Sequence, residues 1–269
     1  MLEKEKDVLF ASHYGGGSST HPTQKDIKKI LSDHFDLGND FFKELELAPK
    51  NGKENTTRTR SFLFFSYAIC LASSFRKEIE VVIPENGLIS LNIPLTDSRL
   101  GSSSTRTTHP FYIKKLQQLI NNLGIEVILK NPYQFKTKGE MISKLVKNDL
   151  FFNNYHKTMS CSHPERTRYT FEPPLHCGIC FPCVIRRSAI LASGIKDKTN
   201  YYDVSLNLGN KAKHNLNVYK MGLINSKKIP SHHFAIQLAG PIESNFESFT
   251  DVYKKGMSEL EDFIGTLDE

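Results

Sequence analysis

Apolar positions in this chain fall alternately into short runs and into helical spacing, and the alternation repeats. "DVLFASHY" (7–14) is an apolar run stopped by "GGGSST", which reads as a buried strand and a turn. After Pro22, "TQKDIKKILSDHF" has the spacing of an amphipathic helix, and "FKELELAP" reads as a second strand. The polar loop "NGKENTTRTR" leads into residues 57–75, the most apolar stretch of the chain, which predicts a central packed helix. "EIEVVIPE" (78–85) is a strand. The segment "NGLISLNIPLTDSRLGSSSTRTTHP" is too rich in Gly, Ser, Thr and Pro to read as core, and long irregular connections of this kind are commonly functional. "FYIKKLQQLINNLG", "IEVILKNPY" and "TKGEMISKLVKN" then predict helix, strand and helix.

Strand and helix alternating on this scale predict an α/β fold with a doubly wound, mostly parallel sheet. Ligands of such sheets lie beyond the carboxyl ends of the strands, where the glycines, Glu85 and the long loop gather. From residue 161 the pattern changes to a cysteine-rich loop, a helix and a tail. The tail holds "FAIQLAGP", read as a strand, and "NFESFTDVYKKGMSELEDFIG", read as an amphipathic helix with an Asn cap. The expected organisation is a nucleotide-binding domain over 1–195, including a knuckle at 161–187, with an extension over 196–269 packed on it.

Composition narrows the class. Hydrophobic residues at 39% and charged residues at 24% are globular values, and no apolar run reaches the ~20 residues of a membrane span. The start lacks the basic, apolar, small-residue order of a secretory leader, so a soluble cytoplasmic protein is expected. A net charge of +6 spread along the chain permits a polyanion such as a nucleotide without requiring nucleic acid. Tandem basic pairs such as Arg186–Arg187 read as solvated surface.

The five cysteines, an odd count, argue against a disulfide framework. Cys70, within an apolar helical stretch, reads as a small buried hydrophobe. The other four gather late. In "HCGICFPCVIRR", Cys177, Cys180 and Cys183 form overlapping C-x2-C pairs, and Cys161 in "TMSCSHPE" supplies a fourth sulfur. Two thiolates of one tight turn converge on one ion, so the spacing points to structural Zn2+ with four sulfur ligands. His163 and His176 are rival fourth ligands, and an iron-sulfur cluster is an alternative occupant. A third cysteine in register weakens a redox reading, and the lack of a second knuckle or a basic recognition helix weakens a nucleic-acid finger. A closed four-thiolate site has no open position for substrate, so chemistry is expected elsewhere.

These residues resemble the 7-cyano-7-deazaguanine synthase (QueC) family, whose zinc signature reads C-G-x-C-x-x-C-x-x-R. The stretches "RTRSFLFFSYA", "IPENGLISLNIPLTDSR", "STRTTHP", "TKGEM", "SCSHPE", "LAGP" and "YKKGMSEL" are similar to its QatC branch, from the Qat anti-phage defence systems of bacteria. The resemblance implies a PP-loop ATP pyrophosphatase fold. It implies adenylation of a 7-carboxy-7-deazaguanine-like substrate by ATP with Mg2+, then displacement of AMP by ammonia or by an amine of a partner protein from the same operon. It places Arg58, Arg60, Glu85, Asn86 and Glu140 at the nucleotide and base, and Lys138, Arg99 and Arg106 at the reacting centre. Guanidinium and ammonium groups in a dry cleft stabilise the charge that develops on phosphate, and a carboxylate such as Glu85 matches the two-donor edge of a guanine-like base.

One feature departs from the family. The S-G-G-x-D-S phosphate loop does not occur in this sequence, and its nearest imitation, "YGGGSST" (14–20), has Ser18 where aspartate would stand. "KDVLFASHY" suits the family's second strand, so the expectation is that Met1 falls inside the family's first helix. A noncatalytic, zinc-stabilised subunit is therefore the alternative function.

Overall fold

A computed structural model describes residues 7–14, 20–46, 60–95, 106–166 and 175–267. Strands β1 (Phe10–Tyr14) and β2 (Phe42–Glu46) pair in parallel, with α1 (His21–Phe35) as their crossover. Parallel partners require such a crossover, since a tight turn cannot reverse the chain twice. Phe10 stacks on Phe42 across the pair, with ring centroids 5.0 Å apart. Helix α2 (Arg60–Ser73) packs on β1 and on a second parallel pair, β3 (Ile79–Val82) and β4 (Val127–Lys130). Between β3 and β4 run α3 (Gly87–Leu91) and α4 (Pro110–Asn122).

The β3–β4 pair buries one face. Val127 and Leu129 meet Phe65, Ile69 and Ala72 of α2 and Leu116 and Ile120 of α4, while Glu80 and Lys130 on the other face pair at 2.7 Å. The free edge of β4 is occupied by one side chain: Gln117 Nε2 donates to the Val127 carbonyl at 2.9 Å, and its Oε1 accepts the Leu129 amide at 2.7 Å. A glutamine in this position satisfies groups that an open edge would offer to another strand. The class is thus mixed helix and strand, as the alternation predicts. The strands form two separate two-stranded parallel sheets, and a single doubly wound sheet is not seen among the described residues.

The remaining helices are α5 (Lys138–Ser143), α6 (Asp149–Asn154), α7 (Phe181–Ala192), α8 (Asn210–Lys228), α9 (His232–Ala235) and α10 (Phe246–Gly265). The largest core joins α3, α7, α8 and α10 around the late cysteines, with Val184, Leu206, Tyr219, Val252 and Leu260 fully buried. No helix among the described residues is long and apolar enough to cross a membrane.

Four sequence expectations are corrected here. "FAIQLAGP" is no strand: Ser231 Oγ accepts the Phe234 amide and starts α9, and the run is too short for periodicity to decide between strand and helix. The segment after Glu85 is not all loop, because Leu88, Leu91, Ile93 and Leu95 are core, hidden by the polar residues that follow them. Cys70 is exposed, because the buried face of α2 runs through Phe65, Ile69 and Ala72 and Cys70 lies a third of a turn away. The Arg186–Arg187 pair is buried, at 5% and 9% exposure, and not solvated surface. Helix α8 escaped the sequence pattern because its apolar stripe is thin, with only Ala212, Tyr219 and Leu223 buried.

Candidate functional site

The four late cysteines converge because a tight turn feeds directly into a helix. Cys180 is the N-cap of α7 and Pro182 is the second residue of its first turn, which carries Cys183 inward. Gly178 turns the chain at φ 81°, and a side chain there would collide with the backbone of Asp203. The Sγ atoms of Cys161, Cys177, Cys180 and Cys183 all lie within 4.8 Å of one another, and all four residues are buried. Cys161 and Cys180 are 3.8 Å apart and Cys177 and Cys183 4.0 Å, far beyond a disulfide bond. A tetrahedron of sulfurs about 2.3 Å from zinc has edges of about 3.8 Å, so the spacing fits one ion. The amides of His163 and Cys177 each donate to Cys161 Sγ at 3.3 Å.

Without a cation, the thiols share their protons. Hydrogen bonding within the cluster pushes the Cys161 and Cys183 thiols up and draws those of Cys177 and Cys180 down. A divalent ion replaces those protons and removes the conflict. The buried four-cysteine group can therefore hold a metal ion.

Around it lies a dense polar shell. His176 Nε2 faces the Thr158 carbonyl at 3.0 Å and Nδ1 sits 3.8 Å from Cys183 Sγ, so the ring supports the cluster from outside it. Burial lowers its pKa to about 4. His163, the other rival ligand, pairs instead with Glu165 at 3.2 Å. Arg186 donates to Thr199 Oγ1, Thr158 Oγ1 and the Tyr155 carbonyl at 3.2, 2.9 and 2.6 Å. Arg187 lies over the rings of Tyr201 and Phe263 at 5.1 and 4.5 Å and donates to the Val204 carbonyl. The knuckle is thereby tied to residues 155–158 on one side and 199–204 on the other.

The strand-end residues gather beside this centre. Glu85 follows β3, and its Oε1 accepts both the backbone and side-chain N–H of Asn86 at 3.0 and 2.8 Å. Asn86 Oδ1 accepts the Ile89 amide at 3.0 Å and caps α3. With its side chain so engaged and 1% exposed, Asn86 holds the loop and positions Glu85. Asn131, one residue past β4, donates to the Glu85 carbonyl at 2.8 Å, and the Gly87 amide donates to the Lys136 carbonyl at 2.9 Å. These bonds join the "PEN" loop to the loop that begins α5.

Lys138, the first residue of α5, is half-buried. Burial pulls its pKa down, Glu85 opposes that, Arg186 adds to it, and Cys183 opposes it again. A cation with a lowered pKa opposite a carboxylate is the kind of pair that marks a working site.

Other predicted residues lie elsewhere or have other tasks. Glu140 Oε2 accepts the Thr137 amide at 2.9 Å in a capping box, and its Oε1 pairs with Lys255 at 3.1 Å. Arg106 Nε donates to the Ala239 carbonyl, which turns it toward the C-terminal segment. Arg60 begins α2 on an exposed surface. Arg58, Arg99 and the glycine turn with Ser18 lie outside the described residues. Asn131 was missed although the strand-end rule that selected Glu85 reaches it equally. Glu259, which contacts the start of α5 from α10, gave no signal, since nothing local marks a contact across 120 positions.

Comparison with protein-family models, curated protein sequences and solved structures finds no match for this chain.

Proposed function

We propose that this chain is a QueC-like, ATP-dependent C–N ligase of a bacterial defence system, with the PP-loop type of doubly wound fold and a structural zinc. What supports the reading is the four-cysteine centre together with Glu85 just after β3, in a loop that is hydrogen-bonded through Asn131 and Lys136 to the segments after β4 and before α5, the helix that Lys138 begins. Zinc held by Cys161, Cys177, Cys180 and Cys183 would supply no chemistry to the reaction, because four thiolates leave no open coordination position. In the proposed reaction the carboxylate of a 7-carboxy-7-deazaguanine-like substrate attacks the α-phosphorus of Mg2+-bound ATP and pyrophosphate leaves. A nitrogen nucleophile, ammonia or an amine of a partner protein, then attacks the acyl carbon and AMP leaves. Glu85 would accept hydrogen bonds from the base, and Lys138 would stabilise the developing oxyanion. The cytoplasm is the setting this chemistry requires.

A second reading is favoured by one observation: no S-G-G-x-D-S segment occurs in the sequence. Helix starts preceded by such loops cradle phosphate, and without one the chain would serve as a noncatalytic subunit. Incubation with ATP, Mg2+, ammonia and 7-carboxy-7-deazaguanine separates the two. The enzyme reading expects AMP and pyrophosphate in equal amounts, reduced at least 100-fold by Lys138→Ala; no AMP from the wild-type chain rejects it in favour of the subunit.

A further inference from the structure

Residues 204–242 contain no Asp or Glu, the longest such stretch in the chain; at the average of 29 acidic residues in 269 it would hold about four. The same stretch carries five lysines and three histidines. All five lysines lie in α8, the helix whose thin apolar stripe hid it from the sequence pattern. Its buried side is anchored on the cysteine knuckle, because Asn215 Nδ2 and Tyr219 Oη both donate to the Ile179 carbonyl at 3.0 Å. A side chain at Gly222 would crowd Leu95. The opposite side is thereby fixed outward. Asn210, His214, Asn217, Met221, Ile224 and Lys228 follow one another at steps of four and three residues, so they form one stripe along the helix, and all six are exposed. Lys213, Lys220 and Lys227 recur every seven residues along one edge of that stripe, about 10 Å apart, and Lys211 stands on the other edge. Lys227 pairs with Glu261, whereas Lys211, Lys213 and Lys228 have no ion pair among the described residues.

We propose that the outward face of α8 docks on the backbone of duplex DNA. Charge complementarity selects a polyanion, since lysines on a helix without a single acidic residue are neutralised from outside it, and phosphates that do so release their own counterions. The makeup of the stripe then selects among polyanions. A membrane surface or an acidic partner helix needs a continuous apolar stripe to bury, and here Met221 and Ile224 stand alone among Asn, His and Lys. Amide, imidazole and ammonium donors suit phosphate and sugar oxygens instead. Single strands are held by bases stacked on aromatic rings, and this stripe has none. The major groove of B-form DNA admits an α-helix, whereas that of A-form RNA is too narrow for side chains to enter. Contacts of this kind position the protein without reading sequence. The role is independent of the reaction proposed above.

Fluorescence anisotropy of a short labelled DNA duplex of arbitrary sequence, titrated with the full chain over a range of salt concentrations, tests this without relying on turnover. The wild type is expected to bind at low salt, with affinity falling steeply as salt rises. Lys211→Gln, Lys213→Gln and Lys228→Gln combined should weaken binding at least tenfold and make the slope of log affinity against log salt shallower by about 2–3. The same three positions changed to arginine keep the charge and should keep the binding, which separates loss of contact from loss of folding. Lys25→Gln, Lys29→Gln and Lys115→Gln combined remove equal charge from exposed positions elsewhere and should leave affinity within about threefold. A wild type that leaves the anisotropy unchanged at low salt overturns the proposal. So does an equal loss in both glutamine triples, tighter binding of a single strand than of the duplex, or retention on anionic phospholipid vesicles in place of DNA.

Discussion

Not one residue of β1, α1 or β2 is fully buried, whereas α7 and α10 each bury nine. Both regions have amphipathic helices, so helix pattern alone does not separate them. The first region is two short strands and a helix, which cannot remove enough apolar surface from water to be strongly stable. The second closes a core around four sulfurs and two buried guanidinium groups, so its stability depends on groups that are costly to leave unpaired. The difference teaches where to look for vulnerability: fraying in the first region, and disruption of the four-cysteine cluster in the second.

The largest effect should come from the cysteines. Cys183→Ser, at a position 0% exposed, is expected to lower the melting temperature by about 10 °C or more and to abolish metal retention, because a structural metal site contributes folding energy directly. Calorimetry with parallel metal analysis checks this; a melt unchanged by the substitution would remove the contrast between the regions. Next, Leu260→Ala in α10 should cost about 3–4 kcal/mol by denaturant titration, whereas Ile30→Ala in half-buried α1 should cost under about 1 kcal/mol. Equal costs would show that the first region is as tightly packed as the second.

A third test concerns the seam. His109 caps α4 by accepting the Phe111 amide at 3.3 Å, lies against Gly240, and is 1% exposed with no hydrogen-bond partner for Nε2 among the described residues. Burial, helped by Arg106, lowers its pKa from 6.5 to about 4. The unfolded chain therefore binds the proton first as pH falls, and stability present above pH 6.5 is lost on the way down to about pH 4. The loss assignable to this residue is about 3 kcal/mol, and His109→Asn, which retains a capping acceptor, should remove that share from the stability-versus-pH curve. The smallest effect is expected at the Lys28–Glu44 bridge, 3.3 Å long and partly solvated, where Glu44→Ala should cost under about 0.5 kcal/mol.

Much of the local structure is legible in the residues. The runs at 7–14, 42–49, 78–85 and 125–133 contain β1 to β4, short runs rich in β-branched and aromatic residues or bounded by turn signals. The cysteine cluster is equally legible, since C-x2-C spacing is itself a statement about a turn. What stayed hidden depends on distance along the chain. Arg186 and Arg187 look like surface charge until Tyr155, Thr158, Thr199 and Val204 are brought around them. Lys138 and Glu85 could be named singly, but the bonds that tie their loops in place come from Asn131, Lys136 and Glu259, whose partners no local pattern marks. Whether the strands join one sheet is also a long-range property, and alternation of elements does not determine it.

The account rests on one divalent ion gripped by Cys161, Cys177, Cys180 and Cys183. Elemental analysis of the purified chain, read against titration of its reactive thiols under native conditions, tests that most directly. The expected result is one zinc per chain with the four buried thiols unreactive until a chelator is added. Chains free of stoichiometric metal, with those thiols reacting as readily as exposed Cys70, would contradict it.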